Sequence, residues 1–183
     1  IIDGGAGQDT ITMTKVNGGD TGGAGGALGN ANILVTSGHS TTTAYDTVVG
    51  IDLGATSDVG DKLDFTGSGV VTDFTNSVDG TVIKSHALSN GVATFDDAAI
   101  HATALVINST NLADVVSYLA ANTDNADVAA FLFDSTGNGT NDSTMVYHNG
   151  DAGEVDSLVL LSAISVTALN AAVVETAGHL TIA

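Results

Sequence analysis

A glycine-rich stretch near the start of the chain carries the residue types that bind a divalent cation. Residues 4–12 read GGAGQDTIT and place glycines at Gly4, Gly5 and Gly7 and a carboxylate at Asp9. Glycine can adopt a positive φ, which lets backbone carbonyl oxygens approach an ion closely. Ca²⁺ takes about six to eight oxygen ligands, from carbonyls as well as carboxylates. The stretch therefore predicts a calcium-binding turn, followed by a short strand in which Ile11 points inward.

The glycine pattern returns 18 residues later, at residues 22–25. The nonapeptide pattern GGxGxD followed by x-apolar-x is the repeat of calcium-binding parallel β-rolls. Two repeats make one coil of such a roll, so Gly22 and Gly25 are predicted to stack on the first turn and to add ligands. Ala27 stands where the second carboxylate would be. A glycine-rich turn cluster that binds no ion is the alternative interpretation.

Other oxygen-bearing side chains form three further groups of candidate metal ligands. They are Asp46 at the start of an apolar segment, the pair Asp61 and Asp64, and the loop residues Asp134, Asn138 and Asp142. The pair flanks inward-pointing apolar residues, and solvated strand-edge acids are its alternative. The loop residues are spaced four apart with glycines between them, but they depart from the EF-hand pattern. A β-hairpin turn is the equal alternative for that loop.

The amino-acid composition disfavours several classes of binding partner. The 183 residues include 3 basic and 21 acidic ones, which gives a formal net charge of −18, and 19 of the acids are Asp. Nucleic acids and anionic membranes are disfavoured as partners because phosphate contacts need Lys and Arg. No apolar run is long enough to span a bilayer, and the lack of cysteine excludes disulfides and thiolate metal sites. Asp is typical of turns and oxygen-ligand loops, so this bias favours loops that hold cations.

No catalytic arrangement stands out. The five histidines are scattered, and no His-Glu-x-x-His motif occurs. Gly38, His39 and Ser40 begin like a nucleophile elbow, but the final glycine of that motif is missing. The glycine-rich residues 18–29 lack the Lys-Ser/Thr pair of a phosphate loop. We therefore expect no enzyme in this chain.

Short strands between glycine-rich turns dominate the predicted secondary structure. The predicted strands cover residues 33–36, 47–53, 70–74, 81–84, 92–95, 104–107, 128–133, 144–148, 157–162 and 179–183, with a helical turn at residues 167–174.

One helix is predicted because Leu112, Val115, Val116 and Leu119 follow the i, i+3, i+4, i+7 pattern. A cap among residues 109–111 would begin it and Asn122 would end it.

These elements predict a mainly β chain. We expect residues 1–67 to form the last coils of a calcium-binding parallel β-roll. Residues 68–183 would form a β-sandwich or β-roll-like C-terminal region with one or two short helices. The two segments are expected to be one continuous domain.

Several segments resemble known families. Residues 46–54 and 60–67 resemble the segment that closes the β-roll in repeats-in-toxin (RTX) proteins, which are secreted through the type I pathway. Residues 129–134, 156–161 and 180–183 resemble the end of type I-secreted bacterial surface-layer (S-layer) proteins. Together with the opening nonapeptide, the resemblance covers most of the chain.

The resemblance implies the non-catalytic C-terminal part of a secreted, calcium-binding structural protein of the cell surface. It implies calcium-dependent folding, self-assembly into a surface array and an uncleaved C-terminal secretion signal. The chain begins at Ile1 and no leader peptide follows, which predicts a piece of a longer protein with upstream domains. The alternatives are the calcium-binding secretion domain of an exported enzyme, such as a serralysin-like protease or a lipase, and the end domain of an RTX adhesin.

Overall fold

Strands make up most of the regular structure, and one helix accompanies them. The structure, a computed structural model, describes residues 1–13, 31–51, 61–65, 69–74, 78–170 and 179–182. The elements of these residues are β1 (Thr10–Thr12), β2 (Asn32–Val35), β3 (Asp46–Val49), β4 (Lys62–Phe65), β5 (Gly69–Val70), β6 (Ser85–Ser89), β7 (Val92–Asp96), α1 (Leu112–Asn122), β8 (Asp127–Phe133), β9 (Ser143–His148), β10 (Ser157–Ser162), β11 (Leu169–Asn170) and β12 (His179–Ile182). The prediction of a mainly β chain is confirmed.

The strands form two sheets. The larger has eight strands in the order β1-β3-β10-β9-β8-β7-β6, with β5 beside β8, and the smaller has the order β11-β12-β4-β2. Pairing is parallel where β1 meets β3, β3 meets β10 and β2 meets β4, and antiparallel along β10, β9 and β8. Each sheet therefore contains strands from both sides of residue 67, the predicted division between the two segments.

The two faces of the larger sheet bury two separate apolar clusters. On one face, side chains such as Val146 and Leu161 pack with Leu63 and Phe65 of the smaller sheet. On the other face, residues such as Phe131 pack with the helix and the loops around it. Strands that are covered on both faces tend to be apolar throughout rather than alternating. This explains the nearly continuous apolar runs of β8, β9 and β10.

Helix α1 begins and ends where its sequence predicts. Asn111 is its N-cap residue, but no side-chain hydrogen bond caps the helix, because Asn111 Oδ1 accepts the N–H of Asn108 instead, at 2.8 Å. The fully buried Asn122 ends the helix. Its side chain accepts the N–H of Val78 at 2.6 Å and donates to the carbonyls of Val78 and Tyr118. No helix in the described part of the chain is long and apolar enough to cross a membrane.

Several local predictions differ from the structure. Of the strand predicted at residues 70–74, only Val70 lies in a strand, β5, and the strand predicted at residues 47–53 ends at Val49. Residues 81–84 are not a strand, and β6 begins one residue later, at Ser85. Residues 104–107 also form no strand, although the N–H of Leu105 bonds the Phe95 carbonyl at 2.8 Å. The predicted helical turn at residues 167–174 is wrong for Leu169–Asn170, which pair with β12 as β11, and residues 171–174 lie outside the described part. Each miss comes from a short apolar run whose long-range partner decides its conformation.

Replacing Asn122 by alanine should destabilise the fold, because the N–H and carbonyl of Val78 would both lose their partner. We expect a loss of about 1–2 kcal/mol in the free energy of unfolding, measured by urea denaturation. The exposed Asn125 is the matched control, and Asn125→Ala should change the stability by less than about 0.5 kcal/mol. Equal effects of the two substitutions would show that the Asn122 contacts contribute nothing.

Candidate metal centre

Parallel pairing of two strands brings Asp9 and Asp46 side by side. Thr10 is in register with Thr47, so the two aspartates occupy equivalent positions just before β1 and β3. The N–H of Asp9 donates to Asp46 Oδ1 at 2.9 Å, and the N–H of Thr47 donates to the Asp9 carbonyl at 2.9 Å. Two carboxylates that are 37 residues apart in the chain are thereby neighbours in space.

Hydrogen bonds of the Ser40 hydroxyl fix the position of Asp46. Its hydroxyl is fully buried, donates to the carbonyl of Leu158 at 2.6 Å and accepts the N–H of Asp46 at 2.7 Å. The start of β3 is thus tied to β10, in the centre of the larger sheet. Ser40 therefore has a structural contact to explain its burial and is not placed like an exposed nucleophile.

The glycine turn packs directly against both carboxylates. A Cβ on Gly4 would lie 3.2 Å from Asp46 Oδ2 and 3.4 Å from Asp9 Oδ2, so only glycine leaves both oxygens where they are. Gly5 and Gly7 have φ angles of +89° and +119°, which side chains other than that of glycine rarely allow. The turn therefore needs its glycines for two reasons, space at Gly4 and backbone conformation at Gly5 and Gly7.

The two carboxylates lack the donors that would balance their charge. Asp46 is only 7% exposed. Burial raises the pKa of its carboxyl above the ordinary value, the N–H of Asp9 opposes that change, and the negative charges of Asp9 and Asp3 raise the pKa further. Asp9 Oδ2 is buried and has no hydrogen-bond partner among the residues that the structure describes. A buried carboxylate oxygen without a donor is costly, and a cation between the two carboxylates would satisfy both.

Asp3 and His39 border this pair, and sequence reasoning missed both of them. Asp3 Oδ1 accepts the N–H of Gly5 at 2.9 Å and lies 3.3 Å from His39 Nδ1. The Gly5 N–H and the His39 contact hold the pKa of Asp3 below its ordinary value. The N–H of Gly7 also donates to the His39 carbonyl at 3.3 Å. No sequence signal marks this contact. The stretches that lie side by side are 37 residues apart, as Asp9 and Asp46 are, which is about twice the predicted spacing of 18 residues.

The segment before β3 therefore stacks on the glycine turn. The predicted partners, Gly22 and Gly25, lie outside the described residues. Among the residues that are described, no group of three or more His, Asp or Glu side chains is arranged to hold a metal ion. An ion at Asp9 and Asp46 would need backbone carbonyl oxygens of the glycine turn as additional ligands. Such ligands are ones that Ca²⁺ accepts.

The structure gives Asp61 and Asp64 contacts with the start of β2. Asp61 Oδ1 accepts the N–H of Ala31 at 2.9 Å, and Asp64 Oδ2 accepts the side-chain amide of Asn32 at 3.0 Å. Both acids lie at β4 in the smaller sheet, while Leu63 and Phe65 point into the core as predicted. Their contacts support the parallel pairing of β2 with β4.

The loop that contains Asp134, Asn138 and Asp142 is a hairpin connection between the antiparallel strands β8 and β9. Asp134 is buried, and its oxygens accept the N–H groups of Gly137, Asn138 and Gly139 at 2.7–3.1 Å. Burial alone would raise the pKa of Asp134, but these N–H groups lower it below the ordinary value. Asn138 Oδ1 accepts the N–H of Thr140 at 2.8 Å.

Asp142 is also supplied with donors. Its Oδ1 accepts the hydroxyl and the N–H of Ser135 and the hydroxyl of Ser143, at 2.7–3.0 Å, and these bonds hold its pKa far below the ordinary value. Asp96, which sequence reasoning missed, accepts the N–H groups of Ala98, Ala102 and Thr103 in the same way. The geometry therefore favours the hairpin interpretation for the β8–β9 loop and leaves Asp9 with Asp46 as the candidate metal centre.

The donors around Asp142 predict a specific pH dependence. Since its folded-state pKa is lowered, Asp142 contributes stability above its ordinary pKa of 3.8, and this contribution is lost as the pH falls below that value. At pH 6 we expect Asp142→Asn to unfold at lower urea concentration than the native chain. The difference should shrink steadily between pH 4 and pH 2. Asp151→Asn, at an exposed acid, should show little difference, and a gap for Asp142→Asn that is as wide at pH 2 as at pH 4 would contradict this explanation.

Compared with known proteins, the chain matches no family model, and neither a curated protein nor a solved structure is significantly similar to it.

Proposed function

We propose that this chain is the C-terminal part of a secreted, calcium-binding structural protein of the bacterial cell surface, of the RTX and S-layer type. It folds and assembles with copies of itself when calcium is present, and it performs no catalysis. The observation that carries the proposal is the pair of neighbouring carboxylates, Asp9 and Asp46, under a glycine turn.

The contrast among the aspartates supports a cation at this pair. Asp96, Asp134 and Asp142 accept three or more hydrogen bonds each from N–H and O–H groups of their own loops. Asp9 Oδ2 accepts none and is buried, and Asp46 beside it is nearly buried. Positive charge from outside the chain is therefore what this pair lacks. The chain itself has only 3 basic residues.

The strand pairing supports the finer description of the fold as the end of a β-roll. Residues 1–12 contribute Ile2 to a parallel bridge with Ile33 and then β1 to a parallel pair with β3. The following segment contributes β2 to the smaller sheet and β3 to the larger one. Successive strands of this part of the chain thus alternate between two facing sheets, which is the arrangement expected of a β-roll. The chain later continues into the antiparallel strands β8 to β10.

The charge of the chain connects calcium with folding. At a net charge of −18 the compact state repels itself. A ligand that binds only the folded state stabilises it by mass action. The chain would then remain unfolded where calcium is scarce, as inside a cell during export, and fold in the extracellular medium. The secretion signal and the surface location follow from the resemblance of the C-terminal segments.

Asp46→Asn should change calcium binding and calcium-free stability in opposite directions. Calorimetric titration should show at least a tenfold weaker Ca²⁺ affinity, because one of the two carboxylates is lost. In chelator, the variant should be more stable by about 1 kcal/mol, since its amide can donate to Asp9 Oδ2. This calcium-free gain should grow as the pH rises, because a raised pKa means that ionised Asp46 disfavours the folded state.

Asp142→Asn is the matched control for this experiment. It removes a carboxylate whose donors come from its own loop, so it should lower stability with and without calcium and leave the Ca²⁺ affinity unchanged. The proposal is wrong if the native chain takes up no calcium in the titration, or if its thermal midpoint is the same in calcium and in chelator.

Gly4→Ala tests the glycine turn separately. The added methyl group would push apart the carboxylate oxygens that now lie 3.2 and 3.4 Å from its position, so the Ca²⁺ affinity should fall several-fold. Gly69→Ala is the control, because a Cβ there meets nothing within 4 Å. Equal calcium affinities for the two variants would mean that the turn is not part of the site.

A further inference from the structure

Strand β6 forms one edge of the larger sheet. It pairs with β7 on one side, and no described strand pairs with its other side. An edge strand presents a row of N–H and C=O groups that can pair with another chain. Alternate residues of β6 bond β7, so the backbone groups of the residues between them, His86 and Leu88, can pair with a further strand.

β6 lacks the features that usually protect an edge. Charged side chains, Pro and bulges commonly prevent edge-to-edge pairing, but the sequence of β6 is SHALS. Lys84 precedes the strand, and its ammonium group is directed to the carbonyl of Gly80, to which it donates at 2.6 Å. The pairing of β6 with β7 is regular over all five residues, so no bulge interrupts it.

The chain segment that contains β6 carries few charges, although Asp97 is exposed in it and Asp73 lies close enough to His86 for its charge to act on that side chain. From Ser85 to Ala113 the only carboxylates belong to Asp96 and Asp97. Asp96 is buried, and three backbone N–H groups surround its oxygens. Since the chain has a net charge of −18, so few carboxylates mean that a second copy meets less repulsion along this stretch than the net charge suggests.

The loop held by Asp96 adds apolar surface beside the strand. Ile100 at its tip is 81% exposed, and the alanines of the loop are exposed with it, namely Ala98, Ala99, Ala102 and Ala104. The hydroxyl of Ser85 donates to the carbonyl of Ala98 at 2.7 Å, which holds the loop against the first residue of β6. Strand β6 and residues 98–104 together form what we call the uncharged edge.

We propose that the uncharged edge pairs with the uncharged edge of a second copy of this chain. The two β6 strands run antiparallel across a twofold axis and join two eight-stranded sheets into one. A second copy is the occupant because the edge is complementary to itself: each side brings backbone groups that no described strand pairs with, and β6 itself contains no Asp, Glu, Lys or Arg. The inference rests on the proposed self-assembly and names the surface that carries it.

Ala87, the exposed middle residue of β6, lies nearest the twofold axis in a centred register. Sedimentation velocity of the full chain in millimolar calcium, over a range of protein concentrations, gives the Kd of association. We expect Ala87→Glu and Ala87→Lys each to raise that Kd at least tenfold, since like charges then face each other across the axis. An equimolar mixture of the two variants should restore association to near the native value.

Ala120→Glu, at an exposed position of α1, is the matched control and should change the Kd by less than twofold. Circular dichroism of each variant verifies that it folds. If the native chain binds calcium but stays monomeric throughout, both the self-assembly and the uncharged edge are refuted. If it associates and Ala87→Glu behaves like Ala120→Glu, only the edge assignment fails. If the mixture does not restore association, β6 does not pair with itself.

Discussion

The parallel pairing of β1 with β3 is the interaction on which the rest of the structure depends. It places the carboxylates of Asp9 and Asp46 next to each other, and it connects the glycine turn through β3 to β10 in the centre of the larger sheet. In a chain with so few cationic side chains, this pairing sets like charges close together, and the N–H of Asp9 and the nearby His39 offset them only in part. Under the proposed function, pairing of β1 with β3 and binding of a cation are one process.

The aspartates of this chain serve two distinct purposes. Some are turn residues whose oxygens accept backbone N–H groups of the same loop, as Asp134 does in the β8–β9 hairpin. The protein itself supplies the hydrogen-bond donors that such a carboxylate needs, and the ionised carboxylate stabilises the loop. Asp9 differs because the strand pairing, and not a loop, determines its surroundings, and one of its oxygens finds no donor. The same residue type thus occurs in a closed turn and at the site that we propose as a ligand, and the neighbouring donors distinguish the two.

Local patterns in the sequence predicted the local structure well. The positive φ of Gly5 and Gly7 follows from their residue type, and the spacing of Leu112, Val115 and Leu119 predicted helix α1 almost to the residue. The buried strands β8 to β10 were recognisable as apolar runs. These features depend on neighbours within a few residues, which the sequence displays directly.

Long-range features were not predictable in the same way. Asp46 was a candidate ligand, but nothing in the chain indicated that it would lie beside Asp9, because strand register is decided by pairing across 37 residues. The contact of Asp3 with His39, 36 residues apart, was missed for the same reason, whereas the donors to Asp96 come from its own loop and were missed although they are local. The start of β6 was also misplaced, since Ile83 before it is buried in the core although it lies outside any described strand.

A crystal structure of this chain grown in millimolar calcium would test the central claim most directly. The predicted result is a Ca²⁺ ion bound by the carboxylates of Asp9 and Asp46 and by carbonyl oxygens of the glycine turn, with Asp9 Oδ2 among its ligands. A turn that contains no cation under these conditions, with Asp9 Oδ2 satisfied by water or by a proton, would contradict it.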